Sequence, residues 1–233
     1  MSTIAFVFAR GGSKGLPGKN IKPLCGKPLL HYSIEIAQQI PEISAIYVST
    51  DCDHIAASAI QAGALVIKRP AELASDTAAE WLAWQHAILQ VQQSGIQFDT
   101  FVSLPTTSPL RAVQDVTAAL ARLKTTAADI CIGVTPAARN PYFNMVKPKG
   151  DDEVCLFNND QQQIKRRQDA PVAFDITTVV YAARVNYILE KNALFAGKVT
   201  SIEVPKQRAV DIDDMYDFLF AESLLKSGAA FDV

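Results

Sequence analysis

Two hydrophobic periods alternate along the first 138 residues of the chain. "TIAFVFA" (3–9) is a short continuous apolar run, the pattern of a strand buried on both faces. "KPLLHYSIEIAQQI" (27–40) has helical spacing, with Pro28 at its first turn. "AIYVST" (45–50) predicts a second strand, "DHIAASAIQAG" (53–63) a helix closed by glycine, and "ALVIKR" (64–69) a third strand. "SDTAAEWLAWQHAILQVQQ" (75–93) predicts a helix capped by Ser75 and Asp76, with an inward stripe of Leu82, His86 or Ala87, Leu89 and Val91. "TFVSL" (100–104), "VQDVTAALARLK" (113–124) and "ADICIGV" (128–134) continue the alternation.

A β-α-β series of this kind has right-handed crossovers, and it predicts a mainly parallel sheet in a three-layer α/β/α, Rossmann-like fold. From about 139 the rhythm changes. Residues 139–180 hold short strand candidates and a polar run, "NNDQQQIKRRQDAP" (158–171), without a long helix. They read as a small β-rich insertion, although the polar run by itself has the composition of a solvated loop. "VTSIEVP" (199–205) restores a strand and "DDMYDFLFAESLLKS" (213–227) closes the chain with a capped helix. The expected division is therefore an α/β domain from 1–138 and 181–233, interrupted by an arm at 139–180.

Composition narrows the partners. At 233 residues, 49% hydrophobic and 20% charged, the chain suits one large domain or one domain with a modest insertion. A formal net charge of −2 gives no global attraction for nucleic acid or membrane, so neither is an expected partner and any anion site must be local. No run nears the ~20 apolar residues of a membrane span, and the N-terminus lacks a secretory leader's layout, which predicts a cytoplasmic protein. Cys25, Cys52, Cys131 and Cys155 form no C-x-x-C pair or zinc spacing and read as scattered reduced thiols.

That local site is "FARGGSKGLPGKN" (8–20), directly after the first strand, where open α/β sheets bind ligands. Gly11 and Gly12 let backbone N–H groups approach an anion, and Arg10, Lys14 and Lys19 add charge. The glycines at 11, 12, 15 and 18 do not spell G-x-G-x-x-G. Ser13 and Asn20 stand where a Walker A loop needs Gly and Ser or Thr. A polyphosphate is the natural guest of what remains. Asp211 and Asp213, two residues apart in an extended segment, can share a hard cation with phosphate oxygens or simply cap the last helix. Asp51 reads as a hydrogen-bonding or capping residue, while His31, His54 and His86 have no partners at catalytic spacing.

The loop resembles that of nucleotide-sugar pyrophosphorylases. It is most similar to A-R-x-x-S-K-G-x-x-x-K-N of the acylneuraminate cytidylyltransferases, the CMP-sialic acid synthetase family. "VSTD" (48–51), "RPAELASDTA" (69–78), "TSPLR" (107–111), "RQ" (167–168) and "DIDD" (211–214) extend the resemblance over nearly the whole chain. It implies an enzyme that joins CTP to a 2-keto sugar acid, releasing pyrophosphate, with Mg2+ as cofactor. It further implies that Arg10, Gly11, Gly12, Ser13, Lys14, Lys19 and Asn20 bind the nucleotide and that Arg69 approaches the cytosine. Arg10, Lys14 and Asp211 become the catalytic set, Asp211 and Asp213 the metal ligands, and Arg167, Thr106 and Asp175 the residues facing the sugar acid. Arg111 fits a structural role as well as a contact. The family's habit of dimerising through the arm implies a homodimer in which Arg167 serves the neighbouring site.

The departures cluster in the sugar pocket. Pro105 replaces a glutamine of the family pattern, Asp175 an arginine, and Thr177 with Thr178 an Asn-Gly pair. A proline side chain cannot donate and the aspartate reverses a charge. The expectation is a conserved use of CTP with a different keto-sugar acid as acceptor. The nearest alternatives are a Kdo-type or other sugar nucleotidyltransferase of the same fold, and a non-catalytic nucleotide-binding module.

Overall fold

Residue parity in the first strand, β1 (Thr3–Phe8), divides the molecule into two cores. Ala5 and Val7 face one side, where they meet Leu30 and Ile34 of α1 (Leu29–Gln38), Ile55 of α2 (Asp53–Gln61) and Val116 and Leu123 of a helix, α4, at Val113–Thr125. Ile4 and Phe6 face the other side, against Trp84, Ile88 and Val91 of α3 (Glu80–Gln93) and Ile188 of α5 (Val185–Glu190). A strand with helices on both faces buries both of its side-chain rows, which is why the run 3–9 is apolar without a break.

The computed structural model describes residues 2–158 and 164–230. After β1, a two-stranded ribbon, β2 (Pro23–Leu24) and β3 (Lys27–Pro28), leads into α1. The remaining strands of the main sheet are β4 (Ile43–Thr50), β5 (Leu65–Lys68), β6 (Thr100–Ser103), β7 (Ile130–Pro136), β10 (Phe174–Arg184) and β11 (Val199–Glu203). Their order is β11-β7-β10-β6-β1-β4-β5, and β10 alone runs antiparallel to its neighbours. A hairpin of β8 (Val146–Pro148) and β9 (Val154–Leu156) stands apart, and α6 (Met215–Ser227) ends the described chain. The expected three-layer, mainly parallel α/β/α sheet is present.

Four local expectations are corrected. The helix expected from 75 starts at Glu80 and is not capped by Ser75 or Asp76, because Asp76 is bound by two cations of the glycine loop. Its inward stripe is Ala83, Trp84, Ala87, Ile88 and Val91, whereas Leu82 and Leu89 are exposed. The aromatic and small residues pack, and the leucines lie one step around the helix. The arm is shorter than 139–180, because the main sheet takes the chain back at Phe174. Residues 159–163 of the polar run lie outside the described residues. In the last helix, Asp214 rather than Asp213 is the cap, accepting from Tyr216 N at 2.7 Å and Asp217 N at 3.1 Å. Helix α5 carried too few residues to show a period. No helix among the described residues is long and apolar enough to cross a membrane, and all four cysteines are free.

A buried ion pair fixes the approach to the last functional segment. Arg208 Nε and Nη2 bond Asp115 Oδ2 and Oδ1, each at 3.0 Å, and both side chains are almost wholly buried. Asp115 Oδ2 also accepts from Ala112 N at 2.8 Å, at the start of α4. Removing one partner strands the other charge in the core. Asp115→Ala should therefore cost about 3–5 kcal/mol in urea unfolding; a loss within 0.5 kcal/mol, the range of an ordinary surface change, would show that the pair does not hold this segment.

Candidate active site

The carboxyl ends of β1, β4, β5 and β6 open on one side of the sheet, together with the start of β10. A cleft of about 510 Å³ lies there, between the glycine loop, the 105–107 turn and the 211–213 segment. Its polar walls stand on a small third core, where Leu16 of the glycine loop packs with Val210 and Ile212. Ile212 is fully buried, so Asp211 and Asp213 flank an inward apolar anchor and are turned toward the cleft.

Hydrogen bonds from backbone and side chains lace the three segments together. Ile212 N donates to Thr107 O at 2.8 Å. Lys19 Nζ donates to Ile212 O and lies 3.5 Å from Asp213 Oδ1. Asn20 Nδ2 donates to Arg10 O at 2.9 Å, while its Oδ1 accepts from Thr106 Oγ1 at 2.5 Å. Gly11 N donates to Asp51 Oδ1 at 2.9 Å, which gives Asp51 the hydrogen-bonding role and leaves Cys52 at the start of α2. The sequence treats Lys19 and Asn20 as ligand-facing, and both do line the cleft, but their polar atoms also hold the loops in register.

Two other cations converge on one carboxylate. Arg10 Nη1 lies 2.9 Å from Asp76 Oδ1, and Lys14 Nζ lies 2.6 Å from Asp76 Oδ2. The hydrogen bond from Lys14 holds the Asp76 carboxyl below its ordinary value. Arg69 opens a neighbouring pocket of about 260 Å³. Its Nη2 donates to Ser49 O at 2.7 Å, its Nε to Ser49 Oγ at 3.1 Å, and its guanidinium stands over the Phe8 ring at 5.5 Å. Burial lowers the Arg69 pKa, and Asp51 and Glu80 act in the opposite direction.

Asp211 and Asp213 line the same cleft. Burial raises the Asp211 pKa; Asp213 adds to the effect, and Thr107, Thr178 and Lys19 offset it. Asp211 Oδ1 is buried without a hydrogen-bond partner among the described residues, and the Asp213 side chain is largely exposed. An orphaned carboxylate oxygen beside a second carboxylate is a fitting half-shell for Mg2+, a hard cation that commonly takes one or two carboxylates and completes its shell with water and phosphate. No cluster of three His, Cys, Asp or Glu side chains among the described residues could hold a metal by itself.

Sequence reasoning missed Glu80, Tyr181 and Thr107, which line the cleft together with Thr178, a residue that the resemblance sets in the sugar pocket as a departure from the Asn-Gly pair. Nothing in an amphipathic helix pattern marks its first residue as a site residue, and Thr178 is placed by a break in pairing. The β10–β7 register breaks between Ile176 and Tyr181, freeing that stretch to run past the site. Thr178 Oγ1 then meets Ser108 Oγ at 2.7 Å and Thr107 Oγ1 at 3.2 Å. Arg111 is buried beneath, with Nε on Val179 O at 2.7 Å and Nη1 on Ser33 Oγ at 2.6 Å, so its role is structural. Burial brings its pKa down to about 9.

Two expected substrate residues are not in this cleft. Asp175 lines an adjoining cavity of about 480 Å³ that shares Asp211 with it. Arg167 is exposed on the arm, where its Nη2 donates to Ala138 O at 3.0 Å. Of the three, Thr106 alone stands in the cleft. The tightest approach is at Gly15, where a Cβ would lie 2.3 Å from Asp213 O; at Gly12 a Cβ would meet nothing within 4 Å. Gly15→Ala should therefore lose about 1–3 kcal/mol in thermal or urea unfolding, and Gly12→Ala within about 0.5 kcal/mol. Equal losses at the two positions would show that the loop and the 213 segment are not in contact.

Comparison with known proteins agrees with this geometry. The family model described as Cytidylyltransferase matches residues 4–217. The CMP-N,N'-diacetyllegionaminic acid synthase of Campylobacter jejuni is 33% identical over 221 residues, covering 94% of this chain and 93% of that protein. The Post-translational flagellin modification protein B of Campylobacter coli is 32% identical over 222 residues, covering 94% and 93%. Among solved structures, a CMP:2-keto-3-deoxy-manno-octonic acid synthetase complexed with CTP superposes with a TM-score of 0.74 at 15% identity, covering 98% of this chain and 100% of that one, a likeness of fold. A family match that spans residues 4–217, and with them the glycine loop and the paired carboxylates of the cleft, leads to one assignment: the chain belongs to the cytidylyltransferase family.

Proposed function

We propose that this enzyme transfers the cytidylyl group of CTP to a nine-carbon 2-keto sugar acid related to diacetyllegionaminate, releasing pyrophosphate. The observation that carries the reading is the gathering of Arg10, Lys14 and Lys19 with Asp211 and Asp213 around one cleft. The name of the Campylobacter jejuni relative, a CMP-N,N'-diacetyllegionaminic acid synthase, supports the acceptor class. So do Pro105 and Asp175, which replace donors of the sialic-acid pattern.

In this reading the cytosine occupies the pocket beside Arg69, and the triphosphate takes over the cations that Asp76 now bridges. Attack of the sugar's anomeric hydroxyl on the α-phosphorus forms a P–O bond, breaks the bond to the bridging oxygen of pyrophosphate and gives up the hydroxyl proton to solvent. Charge grows on the leaving oxygens, where Lys14 and Arg10 stabilise it electrostatically. Asp211 and Asp213 would hold Mg2+, which when bound supplies positive charge to the phosphate oxygens. Lys19, held by Ile212 O, keeps the cationic and anionic walls at a fixed separation.

The acceptor lies on the Asp211 side, where Asp175, Lys206, Ile176 and Phe220 line the second cavity. An amino- or amide-bearing sugar acid suits that mixture of charge and apolar surface. A homodimer belongs to the same proposal. Val172, Phe174, Ile176, Tyr216, Leu219 and Phe220 are all large exposed apolar residues, and such surface suits a partner. Arg167 on the arm would reach the neighbouring site, and a cytoplasmic location suits the use of CTP.

Pyrophosphate release with CTP, magnesium and a panel of eight- and nine-carbon keto acids tests the reading. The diacetylated nine-carbon acids should be preferred to N-acetylneuraminate, and a clear preference for N-acetylneuraminate would refute the altered acceptor. Lys14→Ala and Asp211→Asn should each lower kcat about 10²–10³-fold. Turnover unchanged in both would remove the catalytic roles given to them.

A further inference from the structure

The nucleotide reading leaves the ribose without a partner, and the two cavities define where it must lie. The base pocket and the reaction cleft are adjacent, and the residues common to their linings are Phe8, Arg10 and Glu80. A nucleotide with its base beside Arg69 and its phosphates against Lys14 must carry its sugar past these three. Phe8 offers no polar atom in its side chain. Arg10 already bonds Asp76 and the carbonyl of Ala74, and a guanidinium can only donate. Ribose hydroxyls seek acceptors as well as donors, and Glu80 is the acceptor at this junction.

Its geometry suits the task. Glu80 is the first residue of α3, so its carboxylate projects from a rigid element. Trp84 Nε1 donates to Oε1 at 3.2 Å, which fixes the side chain and leaves Oε2 available to a ligand. Glu80 is exposed where the two cavities join, so its carboxylate is open to a ligand. Neighbouring protein atoms nonetheless raise its pKa by desolvation, an effect that the Trp84 hydrogen bond and Arg69 offset and Asp211 reinforces. A carboxylate with one unclaimed oxygen is a strong, charge-assisted acceptor for paired hydroxyl donors.

Resting on the nucleotide placement proposed above, we infer that Glu80 is a specificity-determining residue that accepts hydrogen bonds from the vicinal 2′- and 3′-hydroxyls of the ribose, selecting ribonucleotides over deoxyribonucleotides. The test is isothermal titration of the full-length protein with CTP, 2′-deoxy-CTP and 3′-deoxy-CTP. Wild type should bind CTP about tenfold or more tighter than at least one deoxy analogue, the range of a hydrogen bond to a charged acceptor. Glu80→Ala should collapse that ratio to about two or less, and Glu80→Gln, which keeps a neutral acceptor, should retain part of it. Removing a negative charge shifts all three nucleotides together, so the ratio alone reads the hydroxyl contact, and continued binding of the deoxy analogues shows that the variants are folded. A wild-type ratio near one, or an unchanged ratio in Glu80→Ala, overturns this inference and leaves the nucleotide site standing. Failure of wild type to bind CTP overturns both.

Discussion

Ile212 is the residue on which the site turns. Its side chain is buried with Leu16 and Val210, its N–H is bonded to Thr107 and its carbonyl to Lys19. Fully burying an isoleucine is worth about 1.5–3 kcal/mol, and here that stabilisation fixes the flanking carboxylates. With Ile212 inward, Asp211 and Asp213 line the cleft beside the glycine loop, and Gly15 accommodates the Asp213 carbonyl where no side chain could. Residues nearly two hundred positions apart thus line one cavity.

Electrostatic matching follows from that enclosure. Positive side chains gathered beyond β1 would repel one another, and Asp76 reduces the repulsion by bridging Arg10 and Lys14. A triphosphate carries more charge than one carboxylate and offers more acceptor oxygens, so it competes well for the same donors. On the other wall Asp211 is desolvated and short of a partner. Such a group is unfavourable for the empty fold and favourable for a charged ligand, the usual exchange of stability for function.

Much of this was legible in the sequence because the relevant signals are local. Continuous apolar runs marked the parallel strands, and the glycine loop stood out by residue type and position. The paired aspartates had two readings by spacing, and Arg69 entered only through the family resemblance. Other features depend on tertiary placement. Asp76 looked like a helix cap because Ser-Asp before an amphipathic stretch is a good capping signal; contact with two distant cations overrode it. Leu82 and Leu89 looked buried because hydrophobicity was read without regard to Trp84, whose bulk sets the inward face. Glu80 gave no signal, since it owes its place to a helix start, and Thr178, marked only as a departure in the sugar pocket, owes its contacts to a break in strand pairing. Asp175 was anticipated as a substrate residue by resemblance, and the fold sets it on the second cavity.

A crystal structure with CTP and magnesium tests the central claim most directly. The account predicts triphosphate density between the 10–19 loop and Asp211, with Lys14 moved from Asp76 onto a phosphate oxygen and the Lys19–Ile212 bond retained. Nucleotide bound instead at the opposite edge of the sheet, in the cavity lined by Asp99, Asp129 and Arg184, with the 510 Å³ cleft left open, would contradict it.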